Sequence, residues 1–279
     1  MSLILAYPAD LFHTHKVDPD FIEEAQHLAS LGFPILRLSE NLAPINPSIL
    51  KSSSASILYR GWMLSATQYT SLHHQLNSRL LVNPQTYLAS HYILNWIQPL
   101  SAAQLTAATT IIPFQDIPSI LNAFDSLPPQ PWFVKDYVKS LKTTPGPIVA
   151  NRQELQACLA RMEQYRGLIE GGIALRELQH FQPHTEQRFF VANGRLFGNT
   201  TSLTTEELSR LQYAITLLQT QHNRPFFSLD IARFVNNGHL TIIEIGDGQV
   251  SDFSADSRTK GLDLSTFTHV VQHLATSCT

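Results

Sequence analysis

The sequence predicts an α/β leading domain followed by an α+β domain rich in antiparallel sheet. Three observations carry that prediction. Over roughly the first 100 residues, short apolar runs alternate with helical periodicity, the mark of βαβ units and a parallel sheet. In the second half, strand signals come in close pairs joined by Asn193-Gly194 and by Asn236-Asn237-Gly238, which are hairpin turn sequences. With 43% hydrophobic residues in a chain of 279, there is apolar material for about two domains.

The elements follow in order. Ser2–Tyr7 is an apolar run that reads as a buried strand. A helix is expected over Asp18–Leu31, with Asp18 as N-cap, Pro19 at the first helical position and Gly32 past the end. Phe21, Ile22, Ala25 and Leu28 then share one face. Pro34–Leu38 and Ser56–Arg60 read as strands, Ala66–Asn77 and Pro84–Gln98 as helices. Strands are next expected at Thr110–Pro113 and Trp132–Tyr137, around a helix over Ile117–Phe124. Thr143–Pro147, with two prolines and a glycine, is a turn or loop. A helix over Arg152–Tyr165 leads to a strand at Ile173–Leu178, and Arg188–Ala192 and Arg195–Phe197 flank Asn193-Gly194. A helix over Glu206–Gln221, strands at Phe226–Phe234 and Leu240–Ile245, and a helix over Leu264–Thr276 complete the chain. The domain boundary is expected near residue 100: 1–100 leads, and 101–279 divides into 101–177 and 178–279.

Charge is scarce and unevenly spread. Only 15% of residues are charged, against about a quarter in an average soluble chain. A net charge of −3 argues against a nucleic-acid or acidic-membrane partner held by bulk electrostatics. Two cysteines, Cys158 and Cys278, are too few for a disulfide scaffold, and a cytoplasmic location is the default. The N-terminal segment lacks a basic region ahead of its apolar run, so it reads as a strand rather than a signal peptide. No apolar stretch approaches the ~20 residues of a membrane span. Gly61–Val134 holds only three charged residues, Arg79, Asp116 and Asp125, after which Lys135, Asp136, Lys139 and Lys142 arrive together.

Three clusters carry chemistry. In WFVKDYVKSLK (132–142), Lys135, Lys139, Ser140 and Lys142 surround a strand end, an array suited to a polyphosphate because ammonium groups act as compact charges on phosphate oxygens. A solvated edge strand guarded by lysines is the other reading. In GGIALRE (171–177), Arg176 and Glu177 point to opposite faces of a strand, and Arg188 heads the apolar Phe189-Phe190-Val191. Arg188 is either half of a structural salt bridge or an anion clamp. In the third cluster Asp230 lies inside FFSLDIARF and Glu244 inside TIIEIGDGQVSDF, on strands expected to pair, with Asp247 and Gln249 close behind. Two carboxylates in apolar surroundings are costly unless paired or metal-bound, and Mg²⁺ typically takes one or two carboxylates plus substrate phosphates. An Asp-Gly turn with surface acids is the alternative.

The histidines say less. His13 and His15 lie in the loop after the first strand, where βα units often bind ligands. His269 and His273 are four apart on a helix, without an HExxH frame. GxSxG, GxxxxGK[ST] and GxGxxG are all absent, which removes the usual support for hydrolase, P-loop and dinucleotide readings.

Together, FVKDYVKSLK (133–142), GGIALREL (171–178), EQRFFVANGRL (186–196), FFSLDIA (226–232) and IIEIGDGQVS (242–251) resemble the ATP-grasp superfamily, most closely a small bacterial and phage branch of expected ATP-dependent carboxylate–amine ligases. YRGWM (59–63) and its strand-helix leader are similar to that branch's N-terminal region. The resemblance implies an α/β leading domain followed by an ATP-grasp fold whose two subdomains clasp ATP. It implies ATP and Mg²⁺ (Mn²⁺ as a substitute) as cofactors. Lys135 would contact phosphates, and 139–147, with Lys139, Ser140 and Lys142, would close over them. Glu177 and Leu178 would hold adenine, Glu186 the ribose, and Arg188 the transferring phosphate or substrate carboxylate. Asp230 and Glu244 would bind the metal, joined by Asp247. Asp10, His13, His15, Arg60 and Gln249 would face the substrates.

Two departures stand out. The glycine-rich phosphate loop of the superfamily is reduced to Gly146, and Gly246 stands where an Asn metal ligand is usual. The implied reaction joins a carboxylate and an amine through an acyl phosphate. An ATP-grasp small-molecule kinase or a non-catalytic nucleotide sensor is the alternative. The expected partners are small molecules or a peptide end, with no nucleic acid or membrane, and the chain is expected as a monomer or homodimer.

Overall fold

A computed structural model describes residues 3–51, 54–113, 116–138, 146–167, 169, 171–252 and 262–277. In chain order the elements are β1 (Leu3–Pro8), α1 (Ile22–Ser30), β2 (Ile35–Leu38), α2 (Ser48–Lys51), β3 (Ser56–Tyr59), α3 (Ala66–Gln75), α4 (Pro84–His91) and α5 (Ile97–Ala102). Then follow β4 (Thr109–Pro113), α6 (Ile117–Asp125), β5 (Trp132–Asp136), β6 (Ile148–Val149), α7 (Arg152–Arg166) and β7 (Gly172–Glu177). The last are β8 (Gln187–Ala192), β9 (Arg195–Phe197), α8 (Thr205–Gln221), β10 (Phe226–Arg233), β11 (Leu240–Asp247) and α9 (Leu264–Ser277).

The chain groups into two compact units. One comprises Met1–Ser90, Glu186–Asp230 and Gly246–Thr279, the other His91–Thr185 and Ile231–Ile245. In the first, β2-β1-β3 form a parallel sheet. Leu3, Ile4, Leu5 and Ala6 of β1 are fully buried, as befits a central strand covered on both faces. Phe190, Phe226, Phe267, Val270 and Leu274 extend the same core. In the second unit β4-β7-β5-β6 are antiparallel. Their core joins Val134, Ile173 and Leu175 to Ile120 and Leu121 of α6 and to Leu155, Leu159 and Met162 of α7. The remaining sheet has the order β11-β10-β8-β9. Its β8–β9 hairpin turns at Asn193 (φ 47°) and Gly194 (φ 79°), the two left-handed positions that an Asn-Gly turn supplies.

Two expected helices are corrected. The first begins at Ile22, not Asp18. The Asp18 carboxylate accepts the amide of Asp20 at 3.0 Å, its carbonyl accepts that of Phe21 at 3.0 Å, and Val17 bridges to Ala9. Asp18 therefore closes a turn of its own, the local competition that Asp side chains offer to helix. The second, Pro84–Gln98, is broken: α4 ends at His91, Tyr92 is extended, and a 3₁₀ turn at Ile93–Asn95 precedes α5. Continuation would need the Ile93 amide to reach the Ala89 carbonyl. That amide instead donates to the Tyr137 carbonyl at 2.8 Å, and the Ala89 carbonyl accepts from the buried Arg224 at 3.1 Å. Short α2 and β6 have no counterpart among the elements expected from the sequence.

Candidate functional site

The second unit places Lys135 against Glu244. Lys135 lies on β5, in register with Ala174 of β7, and its ammonium is 3.0 Å from Glu244 Oε1. The lysine side chain is 6% exposed and the glutamate 44%, so a buried cation meets a carboxylate still open to solvent. Beside them Arg176 of β7 is buried. It donates to the carbonyl of Ile243 at 2.7 Å and to Thr106 Oγ1 at 2.8 Å, and Thr106 donates to the Ile242 carbonyl at 2.6 Å. Burial lowers the Arg176 guanidinium to about 10 against the opposing pull of Glu244. Arg176 thus fixes the β11 backbone one residue from Glu244. Sequence pattern singles out Arg176 but gives it no role; its partners lie 67 and 70 residues away.

The first unit places Arg188 against Asp230. The guanidinium forks onto the carboxylate, Nε to Oδ1 at 2.8 Å and Nη2 to Oδ2 at 2.7 Å, while Nη1 donates to the Asp252 carbonyl at 3.1 Å. Asp230 is 3% exposed at its side chain and Arg188 19%. The planar bidentate geometry is one that lysine cannot reproduce. Of the two readings of Arg188, the salt bridge is present, and a partly exposed guanidinium remains able to meet an anion.

Gly246 has a steric reason. A Cβ there would lie 2.7 Å from Ser228 Oγ and 3.4 Å from Ser251 Oγ, two hydroxyls that bond to each other at 2.7 Å. The space an asparagine would occupy is filled by that pair.

Three of the residues expected at the site are buried. Arg60, expected at the substrates, is 3% exposed and forks onto Glu24 at 2.9 and 2.8 Å. Gln249, expected beside it, is fully buried and bonds to Asp247 and Tyr69 at 3.0 and 2.9 Å. Asp247, expected at the metal, has no exposed surface; Oδ1 accepts the Gln249 amide at 2.9 Å, and Oδ2 has no hydrogen-bond partner among the described residues.

Burial lifts Asp247 from 3.8 to about 7, opposed by the hydrogen bonds from Gln249 and by Arg60. The folded state therefore binds this proton more tightly than the unfolded chain. Its stabilising contribution is full below about pH 4 and is lost as pH rises to about 7. Asp247→Asn, the shape of the neutral acid, should match the wild type near pH 4 and exceed it above pH 7 by up to about 4 kcal/mol. Urea melts at both pH values measure the difference.

The remaining expected residues belong to both units. Asp10 follows β1 and is half-buried; its carboxylate accepts the Phe12 and His13 amides, both at 2.8 Å, which hold its pKa below the usual value. His13 and His15 are exposed in the same loop, rings 6.1 Å apart. Glu177 ends β7 exposed, Leu178 follows half-buried, and Glu186 is exposed ahead of β8. Lys139, Ser140 and Lys142 lie outside the described residues. Among the described residues no three His, Cys, Asp or Glu side chains gather around a cation position, and no helix is long and apolar enough to cross a membrane.

No curated protein matches the chain. Solved structures do, at low identity. D-alanyl-alanine synthetase A from Vibrio cholerae aligns over 100% of this chain and 99% of its own, at 10% identity and TM-score 0.60. A RimK domain ATP-grasp protein from Sphaerobacter thermophilus aligns over 99% and 98%, at 12% identity and TM-score 0.60. D-alanine–D-alanine ligase from Bacillus anthracis, solved in complex with ATP, aligns over 98% and 93%, at 10% identity and TM-score 0.58. These likenesses establish the fold. Residues 115–271, more than half of the chain, match the profile of an ATP-grasp domain family, family 3 of its clade, and it is to this ATP-grasp family that the protein belongs.

Proposed function

We propose that this protein is an ATP- and Mg²⁺-dependent ligase that joins a carboxylate to an amine through an acyl phosphate. The observation that carries the reading is the pairing of its four central residues, Lys135 with Glu244 and Arg188 with Asp230. Each carboxylate suited to a hard cation is paired with a cation suited to phosphate. Asp230 and Glu244, on the neighbouring strands β10 and β11, supply oxygen donors of the type Mg²⁺ takes alongside nucleotide phosphates. When bound, the ion neutralises phosphate charge and orients the γ-phosphoryl group.

In this reading Lys135 binds phosphate oxygens, and Lys139, Ser140 and Lys142 extend that contact on the strength of the sequence. Arg188 stabilises negative charge developing on the transferred group. The substrate carboxylate attacks the γ-phosphorus and ADP leaves; the amine then attacks the acyl carbon and phosphate leaves. Glu177, Leu178 and Glu186 serve the nucleoside, and Asp10, His13 and His15 serve the substrates. The ligase neighbours support this chemistry by their shared fold.

The test is release of ADP and phosphate across a panel of acids and amines. Release that requires both an acid and an amine supports the ligase. ADP without free phosphate identifies a kinase, and tight Mg-ATP binding without turnover identifies a sensor.

A further inference from the structure

Arg60 spends its guanidinium on two kinds of partner. Nε and Nη2 grip Glu24, whose Oε1 also accepts the Tyr7 hydroxyl at 2.6 Å. Nη1 reaches three backbone carbonyls, Gly248 and Gln249 at 2.9 Å and Ser251 at 3.2 Å. The group lies 4.4 Å from the centre of the Phe267 ring. The turn it holds directly follows β11, and its inward carbonyls need donors because water does not reach them.

That turn leads to Arg188. The next carbonyl, Asp252, accepts Arg188 Nη1 at 3.1 Å. Ser251 Oγ bonds to Ser228, two residues before Asp230 on β10, and to the Asp247 carbonyl, both at 2.7 Å. Tyr69, from α3, holds the Gln249 side chain and donates to the Val82 carbonyl at 2.7 Å. Every contact in this chain lies within one compact unit.

We propose that Arg60, anchored by Glu24, is a positioning residue that sets the 248–252 turn and thereby aims the Arg188 guanidinium at the transferred phosphoryl group. The inference rests on the role given to Arg188 under Proposed function. A fork is required because one cation must bind a carboxylate in two places and still reach three carbonyls; the lysine ammonium has the charge but not the planar spread. A buried ion pair adds little net stability over an apolar pair of similar shape, so what this one supplies is geometry.

The test is calorimetric titration of purified protein with Mg-ADP, and with Mg-ADP plus aluminium fluoride as a mimic of the phosphoryl group in flight. For Arg60→Lys, Mg-ADP affinity stays within about threefold. Affinity for the fluoride complex falls about 10²-fold, the scale expected for a group displaced by about 1 Å. In an Arg188→Lys background the Arg60→Lys loss largely disappears, because both changes act through one guanidinium. A merely structural role would weaken both ligands alike and add to the Arg188 change; either result, or no effect on the fluoride complex, overturns the proposal. If Arg60→Lys does not fold, Glu24→Gln carries the same test. Failure of the wild type to bind Mg-ADP overturns the proposed function and this inference together. Mg-ADP binding with a fluoride complex indifferent to Arg188→Met removes the Arg188 role specifically.

Discussion

Glu244→Ala abolishes ATP-dependent turnover, by at least about 10²–10³-fold, the loss seen when one stabilising group at a charge-developing centre is removed. The proposed role asks Glu244 for an oxygen that no close neighbour replaces: Asp247, three residues on, is sealed inside the fold with its Oδ1 engaged. The fold survives the change. Glu244 is nearly half exposed but Lys135 is buried, so its loss takes this carboxylate from a buried ammonium and costs up to about 3–5 kcal/mol, the scale of breaking a buried pair from one side. The readouts are phosphate release, Mn²⁺ binding in the presence of an ATP analogue, and a urea melt. Full activity in a folded Glu244→Ala protein would sink the metal assignment. Glu244→Gln sharpens the result, since it keeps the hydrogen-bonding shape beside Lys135 and removes the charge.

Arg188→Met produces two separable losses. It strands the Asp230 carboxylate, 3% exposed at its side chain, without the fork that compensates it, and breaking a buried pair from one side costs about 3–5 kcal/mol. It also removes the guanidinium proposed to stabilise the transferred phosphoryl group, for a fall in turnover of about 10²–10³-fold. Changing both members, Arg188→Met with Asp230→Leu, should recover most of the stability, because an apolar pair replaces an ionic one at little net cost. It should recover none of the turnover. Thermal melts on the single and double variants read the stability loss, and phosphate release on Arg188→Met reads the catalytic one; activity returning with stability in the double variant would make Arg188 a structural arginine only and would remove the metal role of Asp230 with it.

Several parts of this molecule are legible in the sequence. The β8–β9 hairpin follows from Asn193-Gly194, because both residues tolerate the left-handed backbone that the turn demands. The helix expected over Glu206–Gln221 is present at Thr205–Gln221; its capping box, in which Thr204 and Glu207 bond reciprocally, is a local device that the structure adds. The residues of the two central ion pairs likewise stand out as charge in apolar surroundings. What local pattern misjudges are places where a distant partner claims a backbone group. Asp18 has every mark of an N-cap yet closes its own turn. Pro84–Gln98 is periodic enough for one helix, yet Arg224 and Tyr137 take the two groups that would continue it.

By itself, then, the sequence determined the order of elements, the family resemblance and the short list of chemically unusual charges. Those depend on spacing within a dozen or so residues and on the cost of placing charge among apolar side chains. Only the tertiary structure decided who pairs with whom: Lys135 with Glu244 across 109 residues, Arg188 with Asp230 across 42, Arg60 with Glu24 across 36. It also showed Arg60, Asp247 and Gln249 to be buried. Burial is a property of the packed chain, and the same arginine or aspartate is a ligand-facing charge or an internal strut according to what surrounds it.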